Sequence, residues 1–365
     1  MNNRVILAPA GGSKTQHIID CCSNSGSNVR RLVISFTNQT QDMLERRLLA
    51  SPAASNMPKV QGWYSFLLDH IVRPYIHCIF PHFHVSSLSF ETTSPPKNLS
   101  GSDYYFTADR NARSQRLSLL ASQILLKDGA AVIDRLERIY DEIYIDEVQD
   151  LVGNDLDVLK SLFSSQICVT LTGDTRQRTL STSSSDRKYA KYKGLGLINW
   201  FREMHRAGLI NLEEWRHTDR CCQEVISFAD TMFKPGLYNP TISRNIPNSN
   251  THHGIWIVTK DTVSSYIELY APAVYRHSKR TPLVGTDSAI TFGQCKGATE
   301  DHVLIFPTKT LISFLIDRHN DLAEQSRMGA YVAITRARWS VAFYIDSKRA
   351  SDIKIPVWRP SASTF

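Results

Sequence analysis

Short apolar runs alternate with segments of helical periodicity along the first half of the chain. The runs predict buried strands that begin near residues 5, 31, 142 and 167. Between them, apolar residues recur at helical spacing, which predicts helices at residues 16–22, 43–48, 60–76, 113–126 and 130–141. Alternation of strands and helices in this way favours a parallel sheet covered by helices.

A second series of apolar runs follows a change of region at residues 203–211. It predicts strands at residues 209–212, 254–258, 281–286, 289–292, 302–307 and 339–345. Helices are predicted from residue 218 or 219 and at residues 262–271 and 322–337. The second half therefore forms a sheet of its own. Residues 77–112 and 178–196 show few periodic runs and are predicted to be loops with short ordered pieces, the second of them mobile.

The composition of the chain favours an acidic binding partner. The chain has 365 residues, enough for two domains, with 42% apolar residues and a formal net charge of +7. This charge favours nucleic acid as a partner, the alternative being a mildly basic soluble protein. The 7 cysteines include no C-x-x-C, which indicates a reduced, cytoplasmic setting. We expect no membrane contact, because no apolar run approaches the ~20 residues of a membrane span.

One cluster of potential metal ligands falls in the first irregular region. It consists of His77, Cys78, His82 and His84. Their spacing fits no standard zinc pattern, and Pro81 interrupts any regular element. A zinc site is therefore not expected there.

The first strand leads into a glycine-rich turn, "VILAPAGGSKT" at Val5–Thr15. Such a turn followed by a helix N-terminus points N–H groups inward and can hold the phosphates of a nucleotide. Lys14 would reach the β- and γ-phosphates and the Thr15 hydroxyl would bind Mg²⁺. The pattern G-x-x-x-x-G-K-[ST] would place glycines where the chain has Ala8 and Ser13, so a plain strand–turn–helix is the alternative. The predicted nucleotide contacts in this stretch are Gly11, Gly12, Ser13, Lys14 and Thr15.

Acidic side chains follow the third strand of the first half. Asp146 and Glu147 come directly after the apolar run "EIYI". In a phosphate-loop protein, Asp146 would hold Mg²⁺ through water and Glu147 would be the general base for the attacking water. Adjacent acids are also common on protein surfaces. Gln177, after the next strand, is predicted to contact the γ-phosphate and report hydrolysis.

The motifs, taken in order, resemble those of superfamily 1 helicases of the UvrD/Rep type. "APAGGSKT" resembles the family's A-G-A-G-S-G-K-T, and "ISFTNQTQDMLERRL" its T-F-T-N-K-A-A-x-E-M-x-x-R-L segment. "GWYSFL", "YIDEVQD" and "LTGDTRQ" are similar to T-F-H-S-F, D-E-x-Q-D and V-G-D-x-x-Q. "TFGQCKGATEDHVLIFP" and "AYVAITRAR" resemble T-I-H-x-S-K-G-L-E-F-D-V-V-x-L-P and Y-V-A-x-T-R-A-R. The resemblance spans nearly the whole chain.

This resemblance implies an α/β fold of two RecA-like, parallel-sheet domains with an ATP cleft between them. The first domain is expected at residues 1–205, with a reduced 1B-like insertion around 67–130, and the second at 206–365. The resemblance also implies ATP and Mg²⁺ as cofactors and single-stranded DNA or RNA as partner. The expected activity is ATP hydrolysis coupled to movement on single strands or to remodelling of a nucleic-acid complex.

Further site residues follow from the same resemblance. Arg336, in "TRAR", would neutralise charge on the γ-phosphoryl group. The second arginine, from the family's N-Y-R motif, is either Arg216 or Arg220, and the spacing to the following helix favours Arg220. Glu300 matches a residue near the nucleotide sugar. The predicted nucleic-acid contacts are Thr37, Asn38, Trp63, Tyr64 and Phe292, with a place in the core as the alternative for the three aromatic residues.

Two segments resemble a narrower family, and the chain departs from the superfamily 1 motifs at several points. Both observations suggest alternative functions. "HIVRPYI" and "DRCCQEV" resemble segments of the helicase subunit of Gabija-type anti-phage systems, which works beside an overcoming-lysogenization-defect (OLD) family nuclease. The family's W-R-G is absent, and the gaps between motifs leave no room for large inserted domains, so unwinding of long duplexes is not expected. The alternatives to a minimal ATPase are a nucleotide-sensing regulatory subunit of a nuclease complex and a binder that does not hydrolyse.

Overall fold

The computed structural model describes residues 2–24, 26, 28–52, 56–91, 99–178 and 188–360. The described chain divides into two compact units. The first unit comprises residues 2–7, 14–175 and 188–214, and the second comprises residues 8–13, 176–178 and 215–360. The loop after the first strand therefore belongs to the second unit, although the strand and helix that flank it belong to the first.

The described residues contain the strands and helices expected of an α/β protein. The strands are β1 (Arg4–Leu7), β2 (Arg31–Ser35), β3 (Lys59–Gly62), β4 (Leu88–Ser89), β5 (Ala112–Arg113), β6 (Glu142–Ile145), β7 (Cys168–Gly173), β8 (Asn211–Glu214), β9 (His217–Thr218), β10 (Ile242–Ser243), β11 (Gly254–Val258), β12 (Ala273–Arg276), β13 (Ile290–Thr291), β14 (Glu300–Phe306) and β15 (Ala337–Tyr344). The helices are α1 (Lys14–Asn24), α2 (Asn38–Leu49), α3 (Trp63–Phe66), α4 (Arg73–Tyr75), α5 (Ser114–Ile139), α6 (Asp155–Phe163), α7 (Leu197–Arg206), α8 (Gln223–Asp230), α9 (Val263–Tyr270), α10 (Lys309–Ile316), α11 (Glu324–Ile334) and α12 (Ser347–Ala350).

The sheet of the first unit is parallel, with the order β3-β2-β6-β7-β1-β8. Its central strands read as continuous apolar runs because helices cover both faces of a parallel sheet. Val33 and Tyr144, for example, pack against Ile18 of α1 and Leu44 of α2. In a parallel sheet the carboxyl ends of all strands meet at one edge. The segments that follow β1, β2, β6 and β7 therefore begin at the same edge.

The sheet of the second unit is also parallel, with the order β11-β15-β14-β12-β13. Its core includes Val258, Leu304 and Ala342 from three strands, packed against Tyr266 of α9 and Trp358. Two parallel sheets, each with its own buried core, confirm the predicted α/β fold of two RecA-like domains. The predicted boundary between residues 205 and 206 and the predicted insertion at about 67–130 stay predictions.

Several predicted elements differ from the structure. The helix predicted from residue 60 begins at Trp63, because Lys59–Gly62 pairs with β2 as a strand. The strand predicted at residues 281–286 is wrong: that segment is irregular, with bends and with Gly285 at a φ of +76°. The neighbour of β14 is instead β12, whose short run "AVYR" carries no strong apolar signal.

The strand predicted at residues 209–212 as part of the second half's sheet is β8, which pairs with β1 in the sheet of the first unit instead. The remaining differences concern helix ends and short turns. The helices predicted at residues 113–126 and 130–141 are one helix, α5, with a kink at Asp128, where the backbone is not helical. The helix predicted from residue 218 or 219 begins at Gln223 instead. Within the predicted loop 178–196, Ala190–Tyr192 and Gly194–Gly196 form single turns, and residues 179–187 lie outside the described residues.

Two further findings concern the described ranges. None of their helices has both the length and the apolar composition that a bilayer crossing requires. They also hold no cluster of three or more His, Cys, Asp or Glu side chains suited to a metal ion, including the segment from His77 to His84.

Candidate functional site

The glycine-rich loop after β1 leaves little space for side chains at its two central positions. A Cβ on Gly11, whose φ is +71°, would lie 2.5 Å from the Cβ of Arg220. A Cβ on Gly12 would lie 3.0 Å from the Pro9 oxygen, which accepts a hydrogen bond from the Gly12 N–H at 3.0 Å. The contact at Gly11, together with its positive φ, requires glycine there, and at Gly12 a side chain would be accommodated only if the neighbouring backbone moved by a few tenths of an ångström.

The segment around β9 holds this loop from one side. The Thr218 hydroxyl donates to the Ala10 oxygen at 2.6 Å, and the Asp219 N–H donates to the Gly11 oxygen at 2.9 Å. These bonds occupy carbonyl oxygens of the loop. They tie the carbonyl side of the loop to the segment around β9, while the Gly12 N–H is bonded to the Pro9 oxygen within the turn.

Ser13 adopts a backbone conformation that favours glycine. Its φ is 56°, in the left-handed region, where an L side chain costs about 1–2 kcal/mol. Its hydroxyl donates to Oδ2 of Asp219 at 2.9 Å. The resemblance above puts a glycine at this position, and the structure explains why a serine is accommodated: its side chain has a local hydrogen-bond partner that offsets part of the strain.

We expect Ser13→Gly to give a more stable protein than Ser13→Ala, by about 1 kcal/mol. Both variants lose the hydrogen bond to Asp219, but only alanine keeps the left-handed strain. Urea unfolding midpoints of the two variants, measured side by side with the parent chain, give the difference. Equal midpoints for the two variants would show that Ser13 is not held in the left-handed conformation.

A threonine and an aspartate meet at the carboxyl edge of the first sheet. The Thr15 hydroxyl, at the start of α1, donates to Oδ2 of Asp146 at 2.7 Å. Oδ1 of Asp146 accepts from the Thr172 hydroxyl of β7 at 2.6 Å and from the Glu147 N–H at 2.9 Å. Burial and the neighbouring Glu147 carboxylate raise the pKa of Asp146. Sequence reasoning missed Thr172, although a polar residue near the carboxyl end of an apolar strand was the available signal.

These groups fit a small hard cation. Mg²⁺ prefers oxygen ligands and commonly binds through one or two carboxylates while keeping water molecules. Thr15 and Asp146 offer a hydroxyl and a carboxylate whose oxygens already lie 2.7 Å apart. Asp146 is buried and carries an electrostatic cost when ionised, which a cation would offset. The residues that could hold the metal are therefore the two that the sequence predicted.

Glu147 is held in a strained backbone conformation beside Asp146. Its φ and ψ are 57° and 38°, in the left-handed region, and its side chain is half-buried. Gln149 donates from Nε2 to the Glu147 carboxylate and accepts the Asp174 N–H at 3.0 Å. Strained residues of this kind concentrate at functional sites because the surrounding structure must fix them. Gln149 was not predicted as a site residue, although it belongs to the "DEVQD" motif.

In the second unit, Arg336 is a buried cation surrounded by neutral acceptors. Its side chain is 2% exposed. It donates to the oxygens of Val332 at 2.9 Å and Ala298 at 3.3 Å, and to Oε1 of Gln177 at 3.1 Å. Within the described ranges no carboxylate pairs with it. A buried guanidinium without a counter-charge is costly, and an incoming anion would compensate it. The structure thus brings together Arg336 and Gln177, two predicted site residues.

The structure also separates the two candidates for the second arginine. Arg220 is half-buried, lies against Gly11 and donates to the Thr335 oxygen at 3.3 Å, next to Arg336 in sequence. Arg216 is exposed and donates to the Pro240 oxygen at 3.4 Å. The arrangement therefore favours Arg220, as the spacing did. Glu300 lies at the start of β14, where its N–H donates to the Arg336 oxygen at 2.9 Å, and its side chain is half-buried.

Two residues that sequence reasoning missed connect the loop with the segment after β7. The guanidinium of Arg176 lies 5.2 Å above the ring of Tyr331 and pairs with Asp230 at 3.2 Å. The Tyr331 hydroxyl accepts the Ala10 N–H at 3.5 Å. Tyr331 is the tyrosine of "AYVAITRAR", so the motif itself was the signal that could have identified it. Arg176 immediately precedes Gln177 in the sequence.

Two of the aromatic residues predicted to stack on bases belong to the core. Trp63 is 1% exposed, stacks on Phe66 at 5.5 Å and donates from Nε1 to Asp155 at 2.7 Å. Phe292 is buried against Gly329, where a Cβ would meet its ring at 3.3 Å. Neither ring face is available to a nucleobase in this structure. The core alternative therefore holds for both, because each fills space that no smaller side chain would fill.

The other predicted nucleic-acid residues lie at the surface or near it. Thr37 caps α2, accepting the Thr40 N–H at 3.2 Å, and Asn38 is exposed at the first position of that helix. Tyr64 is half-buried and meets Phe90 edge to face at 5.6 Å. Phe90 is 64% exposed and was missed, since its segment shows no periodicity. Together Tyr64 and Phe90 form an accessible aromatic pair.

Among known proteins, this chain is similar in fold to a viral helicase. The sequence matches no protein-family model and no curated protein sequence. The fold is similar to the crystal structure of arterivirus nonstructural protein 10, a helicase, at a TM-score of 0.46 and 14% identity, covering 97% of this chain and 62% of that one. A complex of that helicase with DNA matches at a TM-score of 0.46 and 14% identity, covering 94% and 60%. The chain thus spans about three fifths of the length of these helicases, and so distant a likeness assigns it no activity.

Proposed function

We propose that the chain is an Mg²⁺-dependent ATPase that acts on single-stranded nucleic acid. The observation that supports this most strongly is the 2.7 Å hydrogen bond from Thr15 to Asp146. It joins the end of the glycine-rich loop to the carboxylate after β6, although these residues are far apart in sequence. Loops of this type bind phosphates, and a hydroxyl and a carboxylate at this place suit the cation that accompanies them.

The proposed roles follow from the chemistry of each side chain. Backbone N–H groups of the loop and the Lys14 ammonium bind the phosphates of ATP. Thr15 and Asp146 hold Mg²⁺, which when bound neutralises phosphate charge. Glu147 accepts the proton of the attacking water as general base, with its carboxylate oriented by Gln149. In this proposal Arg220 and Arg336 neutralise the charge that develops on the γ-phosphoryl group, and Gln177 orients Arg336.

Nucleic acid as the partner is supported by charge and by accessible aromatic groups. The chain carries a formal net charge of +7, which attracts a polyanion. The Tyr64 and Phe90 pair offers ring surface for base stacking, the sequence-tolerant mode of single-strand binding. Movement on single strands or remodelling of a nucleic-acid complex is the activity we propose. The anti-phage role, the OLD-family nuclease partner and the cytoplasmic location stay predictions from the sequence.

A regulatory, nucleotide-sensing subunit is the second candidate. It is favoured by Ser13, which ties the loop to Asp219 at 2.9 Å where related loops have glycine. The burial of Trp63 and Phe292 also removes two of the predicted stacking residues. A sensor of this kind would bind ATP tightly, turn it over slowly and respond little to single strands.

We expect Asp146→Asn to lower ATP turnover about 100-fold or more and to raise the Mg²⁺ concentration needed for half-maximal rate. The reason is that the amide keeps the hydrogen bond from Thr15 but removes the charge that would hold the cation. Phosphate release is measured across a Mg²⁺ series, with and without a single-stranded oligonucleotide. Asp20→Asn, at an exposed position of α1, is the matched control. Unchanged turnover in Asp146→Asn would refute the proposed site.

A further inference from the structure

A cavity in the second unit lies outside the residues discussed so far. Its volume is about 610 Å³, within the range of small-molecule sites. It is lined by residues that follow the carboxyl ends of three adjacent parallel strands, β12, β14 and β15. This edge is where open α/β sheets place their ligands, because connecting segments diverge there and leave a crevice.

The cavity carries an excess of positive charge. Arg280 comes from the segment after β12 and Lys309 from the start of α10, and Lys348 and Arg349 come from α12. Within the described ranges none of these four cations pairs with a carboxylate. The lining contains one acidic residue, Asp346, whose carboxylate accepts the Lys348 N–H at 3.0 Å and caps α12. The cavity thus has four cations and one carboxylate that is already engaged by backbone.

An aromatic wall faces the same space. Tyr344, at the end of β15, stacks on Phe306, at the end of β14, with ring centroids 5.0 Å apart and planes inclined by 25°. Phe306 is buried and supports Tyr344, which is half-exposed toward the cavity. A ring fixed from behind offers its free face to a planar group at low entropic cost.

We propose that this cavity binds a nucleotide unit, with its phosphate on the basic residues Arg280, Lys309, Lys348 and Arg349 and its base on Tyr344. Arginine and lysine recognise phosphate, and an aromatic face recognises any base. The bound nucleotide is either a free mononucleotide or one nucleotide of a single strand, since both present a phosphate and a base. This site is separate from the proposed ATP site and does not depend on hydrolysis there.

The test uses the full chain carrying Lys14→Ala, so that binding at the glycine-rich loop is suppressed. Thymidine monophosphate and a ten-residue oligothymidylate are titrated by calorimetry. In this background Arg280→Glu with Lys309→Glu should weaken at least one of the two probes tenfold or more, since the change reverses two charges that face the phosphate. Lys260→Glu with Lys354→Glu reverses two exposed charges outside the cavity and should change affinity less than twofold.

The titrations distinguish a free mononucleotide from a single strand as the ligand, and they can overturn the proposal. Selective loss of monophosphate binding indicates a free nucleotide, and loss of oligothymidylate binding alone indicates a strand. Tyr344→Leu should weaken thymidine monophosphate but leave inorganic phosphate binding unchanged, which a general loss of structure would not do. The proposal is wrong if neither probe binds the Lys14→Ala chain, or if the cavity variant binds both as the control does. ATP turnover of the cavity variant with Lys14 restored, measured without oligonucleotide, should equal that of the parent, which keeps this result independent of the ATPase proposal.

Discussion

We expect Glu147→Gln to lower the proposed ATP turnover by about 10²–10⁴-fold while ATP binding stays within threefold of the parent. The expected loss is that of a general base, because the amide cannot accept the proton of the attacking water at neutral pH. Glutamine is isosteric and meets the same left-handed backbone at residue 147, so the fold should persist. Turnover is measured as phosphate release and binding with a fluorescent ATP analogue.

The control for this prediction is Glu45→Gln, an identical chemical change at an exposed position of α2. It should turn over ATP as the parent does. Loss of turnover together with loss of ATP binding in Glu147→Gln would indicate a collapsed site rather than a missing base. Full turnover in Glu147→Gln would assign the base to another residue.

We expect Arg336→Lys to lower the proposed ATP turnover by about 10³-fold or more. Stabilising arginines in phosphoryl transfer contribute 10³–10⁵-fold, and lysine cannot reproduce the planar set of donors that now reaches Val332, Ala298 and Gln177. Single-turnover phosphate release measures the effect on chemistry, and thermal unfolding measures the effect on the fold.

Arg338→Lys is the matched control because this arginine belongs to the same "TRAR" motif but is exposed and pairs with Asp301 at 2.9 Å. We expect it to keep turnover within twofold. If Arg336 only supported the fold, Arg336→Lys would lower the melting temperature without a loss of turnover at temperatures well below it. That outcome would remove Arg336 from the proposed mechanism.

Local order along the sequence accounts for where the structure places the candidate site residues of the first unit. Lys14 and Thr15 begin a helix directly after an apolar strand, and Asp146 and Glu147 follow another. Parallel pairing brings such strand ends to one edge, so the meeting of Thr15 with Asp146 could be expected from the order of elements alone. The α/β fold could be predicted for a related reason, because strands and helices alternate along the sequence.

The features that could not be predicted from the sequence depend on whether a side chain packs in the core or faces solvent, and on partners distant in sequence. The pattern of "GWYSFL" is compatible with Trp63 in solvent or in the core. In the structure Trp63 is buried, and its indole N–H donates to the buried Asp155 carboxylate. Thr172 and Gln149 act through partners distant in sequence, so no local pattern marks them. The β12 strand was missed because its run is too short to outweigh the longer apolar segment "TPLVGT".

The crowding around Gly11 and Gly12 limits how this loop can be redesigned. Any residue larger than glycine at Gly11 displaces the backbone of residues 218–220, and at Gly12 it displaces the turn itself. Ser13, by contrast, is exposed and points away from that crowding toward Asp219. Attempts to change nucleotide selectivity by protein engineering should therefore vary Ser13 rather than the two glycines, because side chains at Gly11 and Gly12 require the surrounding backbone to move.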